Sequence, residues 1–332
     1  MNILYSLVAV VALTAIAYFG AGAGMQVLFG QVFPYIALAL FLVGMVYRIV
    51  YWAKSPVPFC ITTTCGQQKS LPWIKQSKIE NPSSTLGVVV RMFLEVVFFR
   101  SLFRNTKAEL DAKRASTVVY ASAYGLWFFS LLFHWSFFII LFRHLRFFIN
   151  PVPACVLAVQ RVDGFFEIGV PLLYLTGLFL LIGGLFLLLR RFLSAPLRYI
   201  SLASDYFPLF LVLAIGLTGV WLRYFAKSDV VGIKELAMGL VLFKPALPEG
   251  VTPLFYTHLF LVCCLFAYFP FSKLVHGAGV LFSPTRNMTG NSREKRHINP
   301  WNDPNIKPHS YEDYEDEFRD KMKAAGIPVD KE

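Results

Sequence analysis

The sequence lacks the short motifs that mark self-contained soluble enzymes. It has no P-loop, no Rossmann glycine pattern, no zinc-binding motif and no nucleophile elbow. Tandem repeats are also absent. These absences argue against a hydrolase or a nucleotide-dependent enzyme that works alone.

Cysteine is scarce. The 332 residues include five cysteines and no Cys-x-x-Cys-His motif, which excludes covalent c-type haem attachment as a motif. Cys60 and Cys65 share a loop that we expect in the cytoplasm, where reducing conditions disfavour a lasting disulfide. Two thiols are too few for the usual four-thiolate iron–sulfur cluster. The chain therefore offers no cluster site of its own.

Charge is also sparse, at 15% of residues, whereas 56% are hydrophobic and the mean hydropathy is +0.57. Several apolar runs exceed the roughly 18 residues that span a bilayer. We predict an all-α integral membrane protein with six transmembrane helices. They lie at about Ile3–Gly20, Gln31–Trp52, Thr117–Phe142 with an extension to Phe148, Phe165–Leu189, Tyr206–Leu222, and Pro253–Val275 with its own extension. A cleaved signal peptide is the alternative for the first run, but a positively charged n-region is missing.

The net charge of +11 is concentrated in particular loops, which argues against nucleic acid as a partner. Residues 54–114 hold ten Lys or Arg against four acids, and Arg190, Arg191 and Arg198 follow the fourth span. The bias of positive residues toward the cytoplasm places these loops and both termini inside. We therefore expect a multi-pass protein of the cytoplasmic (inner) membrane.

Two pairs of histidines lie in apolar segments, His134 with His144 and His258 with His276. An ionisable side chain at bilayer depth is costly and normally functional. At about 1.5 Å per residue the two spacings are roughly 15 Å and 27 Å, more than one cofactor can bridge. Each helix would therefore supply one ligand to each of two haems. Eighteen residues make five turns and put His258 and His276 on one face, whereas ten residues fall about 80° short of three turns.

Orientation determines which histidines meet. Two spans separate the third from the sixth, so these helices are antiparallel. We expect His144 to pair with His258 at an outer haem and His134 with His276 at an inner one. The irons would lie roughly 20 Å apart along the membrane normal. A transporter that uses the histidines as a proton relay is the alternative from another functional class.

These residues resemble a known family. Histidines ten apart on one span and eighteen apart on a later antiparallel span are similar to the dihaem cytochrome b (gamma) subunit of respiratory nitrate reductase. That resemblance covers about residues 117–282. Within the superfamily, the chain most resembles the M subunit of the Dsr membrane complex, which accompanies dissimilatory sulfite reductase. This resemblance rests on three segments, Thr64–Ile74, Asn81-Pro82 and Phe99–Arg104.

The resemblance implies bis-histidine haem b at both sites and a quinone site beside the outer haem. It implies a subunit of a quinone-linked oxidoreductase that is not catalytic alone on a soluble substrate. Electrons would pass between menaquinone and a cytoplasmic iron–sulfur partner similar to heterodisulfide reductase, alongside other membrane and periplasmic cytochrome c subunits, in sulfite or sulfur metabolism. The alternative is that the chain is the gamma-type cytochrome b subunit of a nitrate reductase or of another respiratory oxidoreductase.

Arg161, Asp163 and Glu167 begin the predicted fourth span near the depth of His144, and are candidates for quinol contact and proton transfer. The alternative is a solvated loop end with acids favoured by the helix dipole. Glycines such as Gly183 and Gly277 suit either close approach to a flat macrocycle or ordinary helix packing.

We predict four regions. Residues 1–53 form two transmembrane helices, residues 54–116 a basic cytoplasmic loop, residues 117–282 the dihaem domain and residues 283–332 a cytoplasmic tail. Residues 86–104 suit an interfacial helix, because charges break the apolar run. Residues 311–325 read as one helix, with acids early and lysines late. The loop and the tail are candidates for docking the soluble partner.

Overall fold

The structure is a computed structural model that describes residues 1–55, 57, 60–61, 66–111, 117–166, 172–226, 228–294, 305 and 307–331. Six of its helical segments are long and apolar enough to cross a membrane. They are Asn2–Gly22, Leu28–Ala53, Tyr124–Phe147, Leu175–Leu193, Ala203–Tyr224 and Pro253–Phe271. The predicted fold class, a mostly helical protein with six membrane-spanning helices, is confirmed.

We number the helices in chain order. They are α1 Asn2–Gly22, α2 Phe33–Ala53, α3 Thr85–Phe98, α4 Arg100–Phe103, α5 Tyr124–His144, α6 Ala154–Asp163, α7 Leu175–Leu193, α8 Ala195–Ile200, α9 Ala203–Tyr224, α10 Val230–Val241, α11 Pro253–Tyr268, α12 His276–Gly279 and α13 Tyr311–Ala324. A π-helical turn, Leu28–Val32, leads into α2. Short 3-10 turns extend α5 at Leu145–Phe147 and follow α11 at Phe269–Phe271 and Lys273–Val275.

The spans pack as a bundle in which α11 contacts α1, α2 and α9, while α7 contacts α5 and α9. One buried cluster brings together Val10 of α1, Leu180 of α7, Leu211 of α9 and Leu261 of α11. Lipid is as apolar as these side chains, so close packing rather than escape from water holds the spans together.

The third span begins later than predicted. Residues 117–122 form a strand, β2 Thr117–Ser122, which pairs antiparallel with β1 Thr106–Asp111. The β-branched and aromatic residues Thr117, Val118, Val119 and Tyr120 favour this extended conformation over helix. The prediction that the helix starts at Thr117 is therefore wrong, and α5 starts at Tyr124.

The fourth span also begins later, at Leu175 instead of Phe165. A separate helix, α6, lies before it and ends at Asp163. Gly164 directly follows α6, which fits a helix end. Glu167 lies outside the described residues.

The sixth span is interrupted before His276. Helix α11 ends at Tyr268, and Ser272 is extended, with φ −121° and ψ 177°. Pro270 has no backbone N–H to continue the helical ladder. His276 instead begins the short helix α12. The prediction of one continuous helix from Pro253 past Val275 is therefore wrong, and the helical-turn argument that placed His258 and His276 on one face no longer applies.

The chain divides into two compact units, which we call the membrane unit (Met1–Ser55 and Val89–Ser283) and the tail unit (Pro56–Val88 and Pro284–Glu332). In the tail unit, loop residues bond to the segment after the last span. Gly290 N donates to Pro82 O at 2.7 Å, and Gln68 Nε2 donates to Ser292 Oγ at 2.9 Å. The predicted helix near residues 311–325 is confirmed as α13, with a Ser310–Asp313 capping box at its start.

Candidate functional site

The structure brings His134 and His276 together. His134 lies on α5, and the centroids of the two imidazole rings are 6.0 Å apart, with the ring planes at 86°. Because α11 ends before His276, the two 3-10 turns and α12 carry this side chain to its position. We call these residues the first histidine pair.

His144 and His258 form the second histidine pair. His144 is the last residue of α5, and His258 lies in the second turn of α11. The two imidazoles are close enough to interact electrostatically. Since His134 and His144 share α5, the two pairs lie about 15 Å apart along that helix at about 1.5 Å per residue.

All four imidazoles have their Nδ1 atom held by an oxygen. Nδ1 of His134 lies 2.7 Å from Ser130 O, that of His144 2.7 Å from Ile140 O, and that of His276 2.9 Å from Lys273 O. A carbonyl oxygen can only accept, so Nδ1 donates in these three rings. The proton on Nδ1 leaves the Nε2 lone pair free to bind a metal.

His258 obtains the same anchor from another helix. Its Nδ1 lies 2.9 Å from Oγ1 of Thr218 on α9, and that hydroxyl is within 2.8 Å of Ala214 O and 3.0 Å of Ile215 O. The hydroxyl proton goes to a backbone carbonyl, which leaves the oxygen to accept from His258. At Gly219 an added Cβ would lie 3.2 Å from His258 Cε1, so the glycine lets α9 approach the ring.

Sequence reasoning missed Thr218. It is the single hydroxyl residue between Phe207 and Arg223 in an otherwise apolar span. Such a residue is a weak signal, because threonine commonly bonds to the carbonyl four residues before it, as Thr218 also does here.

A surface ion pair supports the turn that carries His276. Lys273 Nζ lies 2.7 Å from Asp205 Oδ1, and Asp205 Oδ2 accepts from Leu202 N at the start of α9. Ser272 Oγ accepts from Leu274 N and so caps the same turn. These contacts tie the segment that holds His276 to the start of α9.

A buried ion pair lies directly beside His144. Arg143 Nε is 2.9 Å from Asp163 Oδ2, and the two side chains are 11% and 2% exposed. Asp163 also accepts from Thr176 N at 2.9 Å and from Thr176 Oγ1 at 2.6 Å. Of the candidate quinone residues, Asp163 is thus occupied by protein groups, whereas Arg161 is exposed. These contacts tie the end of α6 to the end of α5 and to the start of α7.

Two arginines share one aromatic ring in this region. The guanidinium carbons of Arg143 and Arg223 lie 3.8 Å and 3.9 Å from the centroid of the Tyr174 ring. Arg223 also donates to Leu172 O at 3.1 Å. Cation–π attraction offsets part of the repulsion between the two cations, and Asp163 neutralises one of them. Sequence reasoning did not identify this cluster.

One glycine brings α5 and α7 into close contact near His134. A Cβ added at Gly183 would lie 3.0 Å from Phe133 Cβ and 3.1 Å from Phe129 O. At Gly277, beside His276, the described structure offers no atom within 4 Å of an added Cβ. Helix packing therefore accounts for Gly183.

Fold and site together define a helical membrane protein that presents two pairs of imidazoles between its spans. Residues 87–291 match the family model of the nitrate reductase gamma subunit, and the chain belongs to that family.

Two relatives carry the description "Hdr-like menaquinol oxidoreductase cytochrome b-like subunit". The protein from Archaeoglobus fulgidus is 45% identical over 283 residues, 83% of each chain. That from Archaeoglobus profundus is 44% identical over 281 residues, 82% of each chain.

Proposed function

We propose that this protein is the membrane cytochrome b subunit of a menaquinol oxidoreductase, with one b haem bound by each histidine pair. His134 and His276 would hold the inner haem, and His144 and His258 the outer one. The observation that carries this proposal is that an oxygen holds the Nδ1 atom of all four imidazoles. With the proton on Nδ1, the lone pair of each Nε2 is available to bind a metal.

The first histidine pair has a separation that suits one iron. A metal–imidazole bond of about 2.0–2.1 Å on each side, plus the distance from nitrogen to ring centre, separates the centroids by roughly 6 Å. The observed separation is 6.0 Å. Among the described residues, no group of three or more His, Cys, Asp or Glu side chains could hold a metal ion. A haem needs only two protein ligands, since its ring supplies the other four.

Bound haem would supply one-electron chemistry between ferric and ferrous iron. The chain's own contribution is to hold the imidazoles, to set their tautomer and to keep the spans packed around them. Two sites at different depths of one bundle would let electrons cross the apolar layer within the protein. The predicted distance of roughly 20 Å between the two irons assumed a continuous sixth helix. Because that helix is broken near Pro270, the distance can no longer be derived in this way.

We infer that menaquinol reacts near the second histidine pair. Arg161, Asp163 and Glu167 stay our candidate residues, and their roles there would differ. The carboxylate of Asp163 is already bonded to Arg143 and Thr176, so it would shape the site. Arg161 is exposed, so its guanidinium could contact the polar groups of a ligand. Oxidation of menaquinol releases two electrons and two protons, so a base near the ring is required.

The partner in this proposal is a cytoplasmic iron–sulfur subunit related to heterodisulfide reductase, with further membrane and periplasmic cytochrome c subunits. The Hdr-like description of both relatives supports a partner of this kind. Membership of a Dsr-type complex in sulfite or sulfur metabolism rests on the loop residues that resemble that complex's M subunit. Both termini would face the cytoplasm, in keeping with the basic loops.

Haem content and spectra of the purified protein test the proposal. We expect two haem b per chain, a Soret band and a sharp alpha band on reduction, and reduction by a menaquinol analogue. His134→Ala should remove one haem and His144→Ala the other. His309→Ala is the matched control, because His309 is exposed and lies in the tail unit. Protein without a Soret band would contradict the proposal and favour the transporter alternative.

A further inference from the structure

Phe99 has an unusual backbone conformation between α3 and α4. Its φ of 52° and ψ of 47° lie in the left-handed region, which non-glycine residues rarely occupy. Helical hydrogen bonding continues on both sides, from Phe99 N to Glu95 O at 3.1 Å and from Phe103 N to Phe99 O at 3.0 Å. The change of direction is therefore concentrated in one residue. Such a strained conformation persists only where the surrounding structure holds it.

The side chain of Phe99 contacts a haem-ligand candidate. Its ring centroid is 5.0 Å from that of His134, with the planes at 84°, an edge-to-face arrangement. Phe133 contacts the same imidazole at 5.3 Å, and His276 faces it at 6.0 Å. Aromatic rings therefore flank His134 from its own helix and from the end of α3.

Four hydrogen bonds hold this turn in place. Trp127 Nε1 donates to Phe98 O at 2.8 Å, and Trp135 Nε1 donates to Val97 O at 3.0 Å. Both indoles belong to α5, on either side of His134, and they satisfy carbonyls that a helix end leaves without partners. Glu95 Oε2 accepts from Ser101 N at 3.0 Å and from Ser101 Oγ at 2.7 Å, which holds the residues after the turn.

We propose that Phe99 is a positioning residue for the haem of the first histidine pair, and that the end of α3 forms one wall of that pocket. The proposal rests on the proposed function, because it assumes haem between His134 and His276. The aromatic ring restricts the orientation of the His134 imidazole and keeps water from its edge. An apolar wall disfavours the extra positive charge of ferric haem, so Phe99 raises the reduction potential of this haem.

Phe99→Asn separates the ring from the backbone. Asparagine tolerates the left-handed conformation, so the turn is retained while the aromatic contact is lost. The matched control is Phe243→Asn. Phe243 is the other non-glycine residue with positive φ, at 56°, among the described residues, and its ring stacks on Tyr35 at 5.6 Å. Phe99→Tyr keeps both the ring and the strain, and serves as the conservative variant.

The experiment is a redox titration of the full chain with the two haems resolved by alpha band and by ferric low-spin EPR signal. We expect Phe99→Asn to lower the midpoint potential and shift the EPR signal of one haem, the one that His134→Ala removes. Phe99→Tyr should keep the wild-type midpoint potential and EPR signal, and Phe243→Asn should leave both haems unchanged. Unchanged spectra and potentials in Phe99→Asn would overturn the role of Phe99 while leaving haem binding intact.

A second variant keeps the test decisive if Phe99→Asn does not fold. Trp127→Phe removes the indole N–H that bonds to Phe98 O but keeps an aromatic ring. It should shift the same haem in the same direction, by less. A shift of both haems equally, or of neither, would overturn the proposal. Failure of the wild-type chain to bind haem would instead overturn the proposed function.

Discussion

The hydroxyl of Thr218 lies 2.9 Å from Nδ1 of His258, so a side chain of α9 orients an imidazole of α11. The other three histidines obtain the corresponding contact from a backbone carbonyl three or four residues earlier in the chain. The second histidine pair therefore depends on contact between two spans. A change in how α9 packs on α11 would reach His258 directly.

Replacing Thr218 by valine should weaken the binding of the haem that we propose at the second histidine pair. Valine keeps the shape and removes the acceptor, and leaving a buried donor without a partner costs about 1–3 kcal/mol. Loss of an outer-shell partner commonly reduces metal affinity by about 10–100-fold. Haem retained per chain on dilution in detergent measures the effect.

Thr14→Val is the control for this variant. Thr14 also bonds to the carbonyl four residues before it, Val10 O at 2.8 Å, but it lies on α1. It should retain both haems. Equal loss of haem in both variants would show that the effect is one of general helix stability.

Asp163→Asn should destabilise the membrane unit. Arg143 would remain as a nearly buried cation without its carboxylate, and breaking a buried pair costs about 3–5 kcal/mol. The temperature at which helical circular dichroism is lost in detergent measures this. Removing both charges, in Arg143→Gln with Asp163→Asn, should recover part of the loss.

Arg161→Gln is the matched variant, because Arg161 is exposed on the same helix, α6. We expect its melting temperature to equal that of the wild type. A raised KM for menaquinol in Arg161→Gln, with unchanged stability, would support its role in quinol binding. A large drop in the melting temperature of Arg161→Gln would contradict the idea that α6 contributes to stability through the buried Arg143–Asp163 pair.

Gly183→Ala should separate α5 from α7. The added methyl would meet Phe133 Cβ at 3.0 Å and the Phe129 carbonyl at 3.1 Å, and backbone atoms cannot rotate away. Overpacking of this kind costs about 1–3 kcal/mol. Because Phe133 precedes His134, the haem of the first histidine pair should be lost first.

Gly177→Ala is the control on the same helix, where an added Cβ would lie 3.8 Å from Val220 Cγ2, an ordinary contact. Thermal loss of the Soret band compares the two variants. If the Gly177 and Gly183 variants melt together, close packing at Gly183 does not limit stability.

The tail unit should loosen in acid. Glu315 is 1% exposed, and it accepts from Asp330 N at 2.7 Å and Lys331 N at 2.8 Å. The Asp330 N–H, then the Lys331 N–H and Arg319, hold the pKa of Glu315 below its ordinary value of 4.5. The stabilisation is therefore present above pH 4.5 and is lost as the pH falls through the lowered pKa.

Hydrogen exchange of the Asp330 and Lys331 amides, corrected for intrinsic rates, measures this release in the full chain. Glu315→Gln should expose at least one of the two amides at neutral pH, because glutamine keeps one acceptor oxygen where the carboxylate has two. Glu317→Gln, at an exposed position on the same helix, should not. Full protection of both amides in acid would contradict the role of Glu315.

Much of the site could be predicted because its signals are local. Histidines in apolar runs stand out at any fold, and helical rise alone separates His134 from His144. The juxtaposition of His134 with His276 was predicted from the number of intervening spans, and the structure brings these rings together. Their role as haem ligands stays a prediction. The start of α5 was predicted wrongly because apolar β-branched residues suit a strand as well as a span.

Other features depend on contacts between distant segments. Thr218 reaches His258, Arg143 reaches Asp163, and Phe99 reaches His134, each pair being separated by 20 or more residues. Periodicity reports which face of one helix is apolar, but it carries no information on the rotation and depth of a neighbouring helix. These partners follow from tilt and packing.

Apolar run length was enough to establish six spans, because a bilayer of fixed thickness demands a fixed number of helical residues. Residue type was enough to select the histidines, because few side chains at membrane depth can bind a metal. The break at Pro270, the anchoring of each imidazole and the strained turn at Phe99 arose from packing between helices. Close approach in three dimensions sets those contacts, and sequence distance does not.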